Sequence, residues 1–267
     1  MNKQKEIEYD KHCFMKQFRS ISSDRHNYTA WSDIMTLFAL SIINPLTLQM
    51  FNNDKKLKKL WDARENRYLQ IIKTYSKEKQ QIIPEMFACI VNEFEKNPNQ
   101  DLLGQIYMEL GISNNNSGQF FTPYSVCQCM SEITIDKPSL KKQVKNPGWC
   151  TINDCACGGG ATLIASVEQC AKLFKRLNWQ NHVLIFANDV DKICAYMCYI
   201  QLSLLGVAAV VTISDAIINP VVDFYKNPEK VLFTPQYLSD VWTMRRLFHG
   251  LDLNMRRIEN VQNLSNK

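Results

Sequence analysis

Across residues 1–112 the apolar positions recur every three or four residues, and no stretch alternates with period two. "SDIMTLFALSIIN" opens on a Ser-Asp pair suited to capping and spaces its apolar residues for a buried helix. In "DKKLKKLWDARENRYLQIIKTYSKEKQQ", Leu57, Leu60, Trp61, Leu69 and Ile72 fall on one stripe and charges fill the other face. "EMFACIVNEFEKN" after Pro84 predicts a third helix, and "QDLLGQIYMELGI", closed by Gly111, a fourth.

A polar loop, "SNNNSGQ", follows at 113–119. "TPYSVCQCMSEIT" predicts a helix with Thr122 as cap and Pro123 in its first turn, and "DKPSLKKQVKNPG" reads as a charged connector. From Trp149 the grammar changes. A strand "WCTIND" leads into glycines and a helix over 161–177. "HVLIFAND" leads into a helix over 192–205, and "AAVVTISD" follows. That succession, β-α-β-α-β, is the pattern of a doubly wound parallel sheet and makes the fold class α/β. Beyond Asp215, "NPVVDFYKNPEKVLFTPQ" reads as loop and "YLSDVWTMRRLFHGLDLNMRRIENVQ" as helix. Two domains are expected: a helical one over 1–117 and a sheet-containing one over 118–267.

Composition changes this picture little. With 267 residues, 46% hydrophobic and 21% charged, the chain has the makings of an ordinary globular core, and its net charge of +5 permits a nucleic-acid partner without requiring one. Two uncharged runs, 34–51 and 194–213, approach the length of a membrane span. Asn44-Pro45 interrupts the first, and Gln201 and Gly206 the second, so both read as buried segments and no membrane partner is expected. The ten cysteines include the C-x-C pairs Cys127/Cys129 and Cys155/Cys157 but no C-x-x-C, and the four histidines are scattered. Reduced thiols in a cytoplasmic protein, with no metal, are the expectation.

The informative stretch is "NDCACGGGATLI". Ligands of a parallel sheet sit beyond the carboxyl ends of its strands, and three such ends are marked by Asp154, Asp189 and Asp215. The glycines after Asp154 permit positive φ and close backbone approach. Their spacing matches neither the dinucleotide fingerprint nor the phosphate loop. Asp189 suits the hydroxyls of a ribose and Asp215 an adenine amino group. The set fits a nucleoside with an uncharged or zwitterionic tail, such as S-adenosyl-L-methionine.

These residues resemble the "DPACGSGGFLI"-type loop of adenine-N6 DNA methyltransferases, and most closely the modification subunit of type I restriction systems. "GQFFTP", "ELGI" and "ANDVD…YIQLSLLGV" match that family in kind and order, over roughly residues 85 to 216. The resemblance implies a Rossmann-like (class I methyltransferase) sheet, here truncated, and S-adenosyl-L-methionine as cofactor. It places Phe121, Thr122 and Pro123 near the methionine moiety. Asp154, Ala156, Gly158 and Gly160 form the loop, with Asp189 at the ribose and Asp215 at the adenine. Cys155 replaces the usual proline. The family's Asn/Asp-Pro-Pro-Phe/Tyr segment, which presents the target adenine, has no match: the chain offers only "NPGW", "NPVV" and "NPEK". Asn219 in "NPVV" is the best-placed catalytic candidate, with Phe224 and Tyr225 nearby. Asn146 precedes the loop, as only a permuted order would use. Arg245, Arg246, Arg256 and Arg257 suit either phosphate contact or a solvated helix face whose other side carries Trp242, Leu247, Leu251 and Ile258.

The function expected is that of an S-adenosylmethionine-binding, type I modification-subunit-like protein, methylating adenine in DNA if active. Partners would be DNA through a partner subunit, a restriction–modification subunit, or a second copy. The alternative is an inactive decoy, regulator or assembly subunit. A third reading is a purely structural module with a vestigial pocket.

Overall fold

The structure, a computed structural model, describes residues 2–50, 54–112, 121–145, 147–175, 177–224 and 226–250, with backbone alone for residues 2–10, 49 and 50. It begins with helices α1 (Asn2–Ile21), α2 (Asn27–Met50), α3 (Lys55–Ile72), α4 (Lys77–Lys96) and α5 (Leu102–Glu109). α1 packs along α4, and α2 along α3. Aromatic rings join the layer: Phe14 and Phe18 meet Trp31 edge-on at 6.3 and 5.7 Å, and Trp31 meets Tyr107 of α5 at 5.7 Å.

Three helix boundaries differ from the sequence expectation, each for a local reason. α2 starts at Asn27, ahead of the Ser-Asp pair, because His26 Nδ1 accepts the Tyr28 N–H at 3.2 Å and does the capping. α2 also continues through Asn44-Pro45 as one helix, and Asn44 ties it to α3 by donating to Glu65 at 2.9 Å. Among the described residues it is the one helix long and apolar enough to cross a membrane, and most of that stretch is buried inside the protein. The break between α3 and α4 falls at 73–76 rather than at Pro84. There Ser76 accepts the Lys79 N–H and supplies a cap, and α4 carries Pro84 within it at the loss of one donor.

Next come α6 (Tyr124–Thr134) and α7 (Lys137–Lys145). α7 occupies the expected connector. Asp136 accepts both the N–H and the hydroxyl of Ser139 and so starts the helix, and Leu140 anchors it in the core. Then follow β1 (Cys150–Asp154), α8 (Ala161–Phe174), β2 (Val183–Asp189), α9 (Lys192–Leu204), β3 (Ala208–Ile213) and β4 (Val231–Phe233). Residues 240–250 are helical and form α10. The four-stranded sheet runs β1-β2-β3-β4. The first three strands are parallel, with Cys150 opposite Val183 and Leu184 opposite Ala208, and β4 closes one edge antiparallel. Sequence pattern misses β4, because three successively buried residues show no period.

The strands alternate between two cores. Cys150, Val183, Ile185, Ala209 and Val211 face the cluster shared with the helices, including those of the N-terminal layer. Leu184, Ala208, Val210, Val231 and Phe233 face a second cluster with Trp149, Tyr237 and Trp242. The Trp242 indole N–H donates to the Gln180 carbonyl at 2.9 Å, fixing α10 on this second face. Of the basic residues singled out there, Arg245 donates to the Gly148 carbonyl and Arg246 to that of Tyr237, whose ring lies 4.0 Å from the guanidinium carbon. Leu247 is exposed, and Leu251, Arg256, Arg257 and Ile258 lie outside the described residues.

Candidate functional site

β1 delivers Asp154 to the carboxyl edge of the sheet, where the chain turns sharply into α8. Gly158 and Gly160 stand in the left-handed region, with φ of 53° and 99°. Two carboxylates brace the turn. Asp154 accepts the Ala156 N–H at 3.1 Å and the Thr162 hydroxyl. Asp189, from the neighbouring strand end, accepts the Gly158 N–H and the Asp191 N–H, each at 2.8 Å. Burial raises the Asp189 carboxyl above its ordinary value, and those two backbone donors pull the other way. Asp191 accepts from Ile193 and Cys194 and caps α9. The close approach that the glycines allow is made by protein. A Cβ on Gly158 or Gly159 would stand 3.4 Å from the Phe121 ring, and one on Gly160 would stand 3.0 Å from Cys198 Sγ of α9.

Below the turn lies a group that sequence reasoning missed. Gln201, fully buried on α9, donates to the Gly159 carbonyl and to Asp101 Oδ1, each at 2.8 Å, and accepts the Leu103 N–H at 3.0 Å. Asp101 also caps α5 through Gly104, and burial raises its carboxyl. One amide thus ties the turn to the N-terminal helices. The only sequence signal was a polar residue inside an uncharged run.

Phe121 packs edge-on against Tyr107 at 5.2 Å, so it covers the turn from the helical side. Thr122 and Pro123 are exposed beside it, and Pro123 rather than Thr122 stands at the cap position of α6. Tyr124 and Gln128 both donate to Glu168 and hold α6 to α8. Gly118 to Phe120 lie outside the described residues. Asp215 follows β3, but its Oδ1 accepts the N–H groups of Ile217 and Ile218 at 2.9 and 2.8 Å, which lowers its carboxyl below the ordinary range. It builds a turn, and Asn219 completes that turn by donating its N–H to the Asp215 carbonyl. The Asn219 side chain is exposed. Asn227 precedes a single 3₁₀ turn, while Asn146 and Tyr225 lie outside the described residues.

On the opposite face of the same strand ends a cavity of about 260 Å³ opens between Asn153, Phe186, Asn188, Thr212, Ser214 and Phe224. The Phe186 and Phe224 rings stack at 5.9 Å and 22°. Asn188 staples three strand ends. Its Nδ2 donates to the Cys155 and Ser214 carbonyls, and its Oδ1 accepts the hydroxyls of Thr212 and Ser214. Of these six residues only Phe224 was singled out from sequence. The signal was present, since period-two alternation puts the neighbour of each strand-end acid on the other face.

A carboxylate oxygen can accept two hydrogen bonds, so Asp154 and Asp189 keep capacity for hydroxyl or amino donors after bracing the turn.

The sequence profile described as N-6 DNA methylase matches residues 98–265. Among solved structures, a Listeria monocytogenes protein provisionally assigned as a class I S-adenosylmethionine-dependent methyltransferase is similar, at 16% identity and a TM-score of 0.42 over 81% of this chain. The chain spans 56% of that protein's length. No curated protein matches.

Proposed function

Because the chain belongs to the N-6 DNA methylase family, we propose that it binds S-adenosylmethionine at the glycine turn and acts in methylation of adenine in DNA. The observation that carries this reading is the pairing of Asp154 and Asp189 about Gly158 at the ends of adjacent parallel strands. The residues fit the cofactor. Asp189 has remaining lone pairs for ribose hydroxyls, Asp154 for the ammonium of the methionine part, and Phe121 offers an apolar wall over Gly158. When bound, the cofactor supplies an electrophilic methyl group on a sulfonium. The chain's own part is to hold it, orient it and shield it from water.

Calorimetry with S-adenosylmethionine tests this. We expect saturable heat with the full chain, weakened at least about tenfold by Asp189→Asn, since hydrogen bonds to a charged group contribute about 1.5–3 kcal/mol. No heat with the unaltered chain overturns the reading.

The finer function is that of a modification-subunit-like component of a restriction–modification system in the cytoplasm, reaching DNA with a partner subunit. One observation favours a catalytically silent variant of it, a decoy or regulator: the sequence contains no Asn/Asp-Pro-Pro-Phe/Tyr segment. Labelled methyl groups entering adenine, with the chain alone or in cell extract, decide between the two.

A further inference from the structure

We propose that the groove between α7 and the end of α8 docks an acidic amphipathic helix of a partner protein, independently of the cofactor reading above. The groove encloses about 610 Å³ and lies well away from the glycine turn. α8 leaves that turn at Ala161 and reaches the groove at Phe174, about 20 Å further along its axis. Two kinds of side chain line it. Leu140 and Val144, one turn apart on α7, and Leu173 and Phe174 of α8 form an apolar floor, which Leu177, 49% exposed, extends. Lys137, Lys141 and Lys145 run beside Leu140 and Val144 at the same four-residue spacing, and Lys175 adds a cation just past α8.

The charge is unbalanced within the protein. α7 has four lysines in nine residues and no acid. The side chains of Lys137, Lys141, Lys145 and Lys175 make no ion pair or hydrogen bond among the described residues. Neighbouring Lys172, by contrast, reaches both Glu132 and Glu168. Like charges four apart on a helix repel, so the row costs helix stability that no internal contact offsets. Carboxylates from outside would offset it.

The floor decides which anion fits. A nucleic-acid backbone would meet the lysines and leave Val144, Leu173 and Leu177 facing water, because phosphate contacts need no apolar surface. An extended peptide docks through main-chain hydrogen bonds to a sheet edge, and no strand residue lines this groove. A helix with leucines on one stripe and carboxylates flanking it satisfies both parts of the lining. From Lys137 to Lys145 the row spans about 12 Å, two turns, and carboxylates four residues apart on a helix laid alongside repeat at the same interval.

The test is fluorescence anisotropy of the full chain with a labelled synthetic helical peptide carrying leucine on one stripe and glutamate elsewhere. A scrambled peptide of the same composition, with the leucine stripe broken, should bind at least about tenfold more weakly, since it cannot bury its leucines together. Lys141→Glu combined with Lys145→Glu should weaken the striped peptide about tenfold, because two ion pairs are lost and two repulsions created, and should gain affinity for a striped peptide with lysine in place of glutamate. Leu177→Ser should weaken the striped peptide about threefold or more. All these substitutions are at exposed positions, and unchanged melting midpoints report that the variants are folded. Salt should weaken the striped peptide without abolishing its binding. No binding of that peptide, or equal binding of the scrambled one, overturns the proposal. So does duplex DNA that displaces the peptide and is indifferent to Leu177→Ser, since the lysines would then be a phosphate surface. Self-association of the unaltered chain that the double variant abolishes overturns it too, since the groove would then hold a second copy.

Discussion

At the scale of the residue, the two left-handed glycines should differ in their tolerance of a side chain. Gly160→Ala combines φ of 99° with a Cβ 3.0 Å from Cys198 Sγ, while Gly158→Ala meets Phe121 at an ordinary 3.4 Å with φ of 53°. Left-handed strain alone is about 1–2 kcal/mol, and overpacking adds about 1 kcal/mol or more, so Gly160→Ala should lower the Tm about twice as far. Equal shifts in a thermal melt would mean that α9 gives way. Asp101 offers a pH test. Burial raises its carboxyl, so above the ordinary carboxylate value the native state holds a proton that the unfolded chain has released. Its contribution is full at low pH and is lost as pH rises through the folded pKa. Asp101→Asn keeps an acceptor for Gln201 and Gly104 and removes the charge. Its Tm relative to the unaltered protein should therefore climb as pH rises above the ordinary carboxylate value of about 4. A flat or falling difference would contradict the assignment. The acids at the strand ends were legible from sequence. What their oxygens bond to was not, because Asp189 finds Gly158 only after β1 and β2 pair.

At the scale of the element, legibility tracked how strongly a segment specifies itself. β1, β2, β3, α8 and α9 fell within a few residues of the expected spans, since a short apolar strand followed by a glycine turn or an Asp cap and a periodic helix is a strong local signal. α7 was hidden because its charges looked like a connector while Asp136 quietly capped it, and the α3–α4 break because Ser76 outweighed the more conspicuous Pro84. Gln201 shows why the joint between elements was not readable at all: its partners lie on α5 and in the turn, about a hundred residues and forty residues away respectively. Gln201→Leu leaves a buried carboxylate, a carbonyl and an N–H without it. At about 1–3 kcal/mol for each unsatisfied group, partly relieved by relaxation, we expect a loss of about 3 kcal/mol in denaturant unfolding. Gln201→Glu should fare no better, because it loses both donated bonds and brings a second carboxylate against Asp101. A leucine variant within about 0.5 kcal/mol of the unaltered protein would show that the turn is held without this amide.

At the scale of the whole molecule, the sequence divides at about residue 117, yet the buried apolar residues do not. A single cluster runs from Phe14 and Trp31 through Ile106 to Ile185, Met197 and Leu232, and α2 and α5 pack on α9. Arg64 adds a polar strap: from α3 it donates to Thr47 of α2 and, on its other side, to the carbonyls of Pro228 and Val231 at the start of β4. β4 is only three residues long and sits at a sheet edge, so its pairing with β3 is reinforced by this guanidinium and by the Thr234 hydroxyl, which accepts from Ala209 and donates to Val207. The helical layer and the sheet should therefore melt together. Calorimetry is expected to show one transition whose van't Hoff and calorimetric enthalpies agree, and S-adenosylmethionine should raise its midpoint by mass action. Arg64→Ala should lower that midpoint without splitting it, because the shared apolar core remains. Two resolved transitions in the unaltered chain, with only the second moved by the cofactor, would mean that the turn is stabilised by the sheet alone and that the Gln201–Asp101 link does not couple it to the helices.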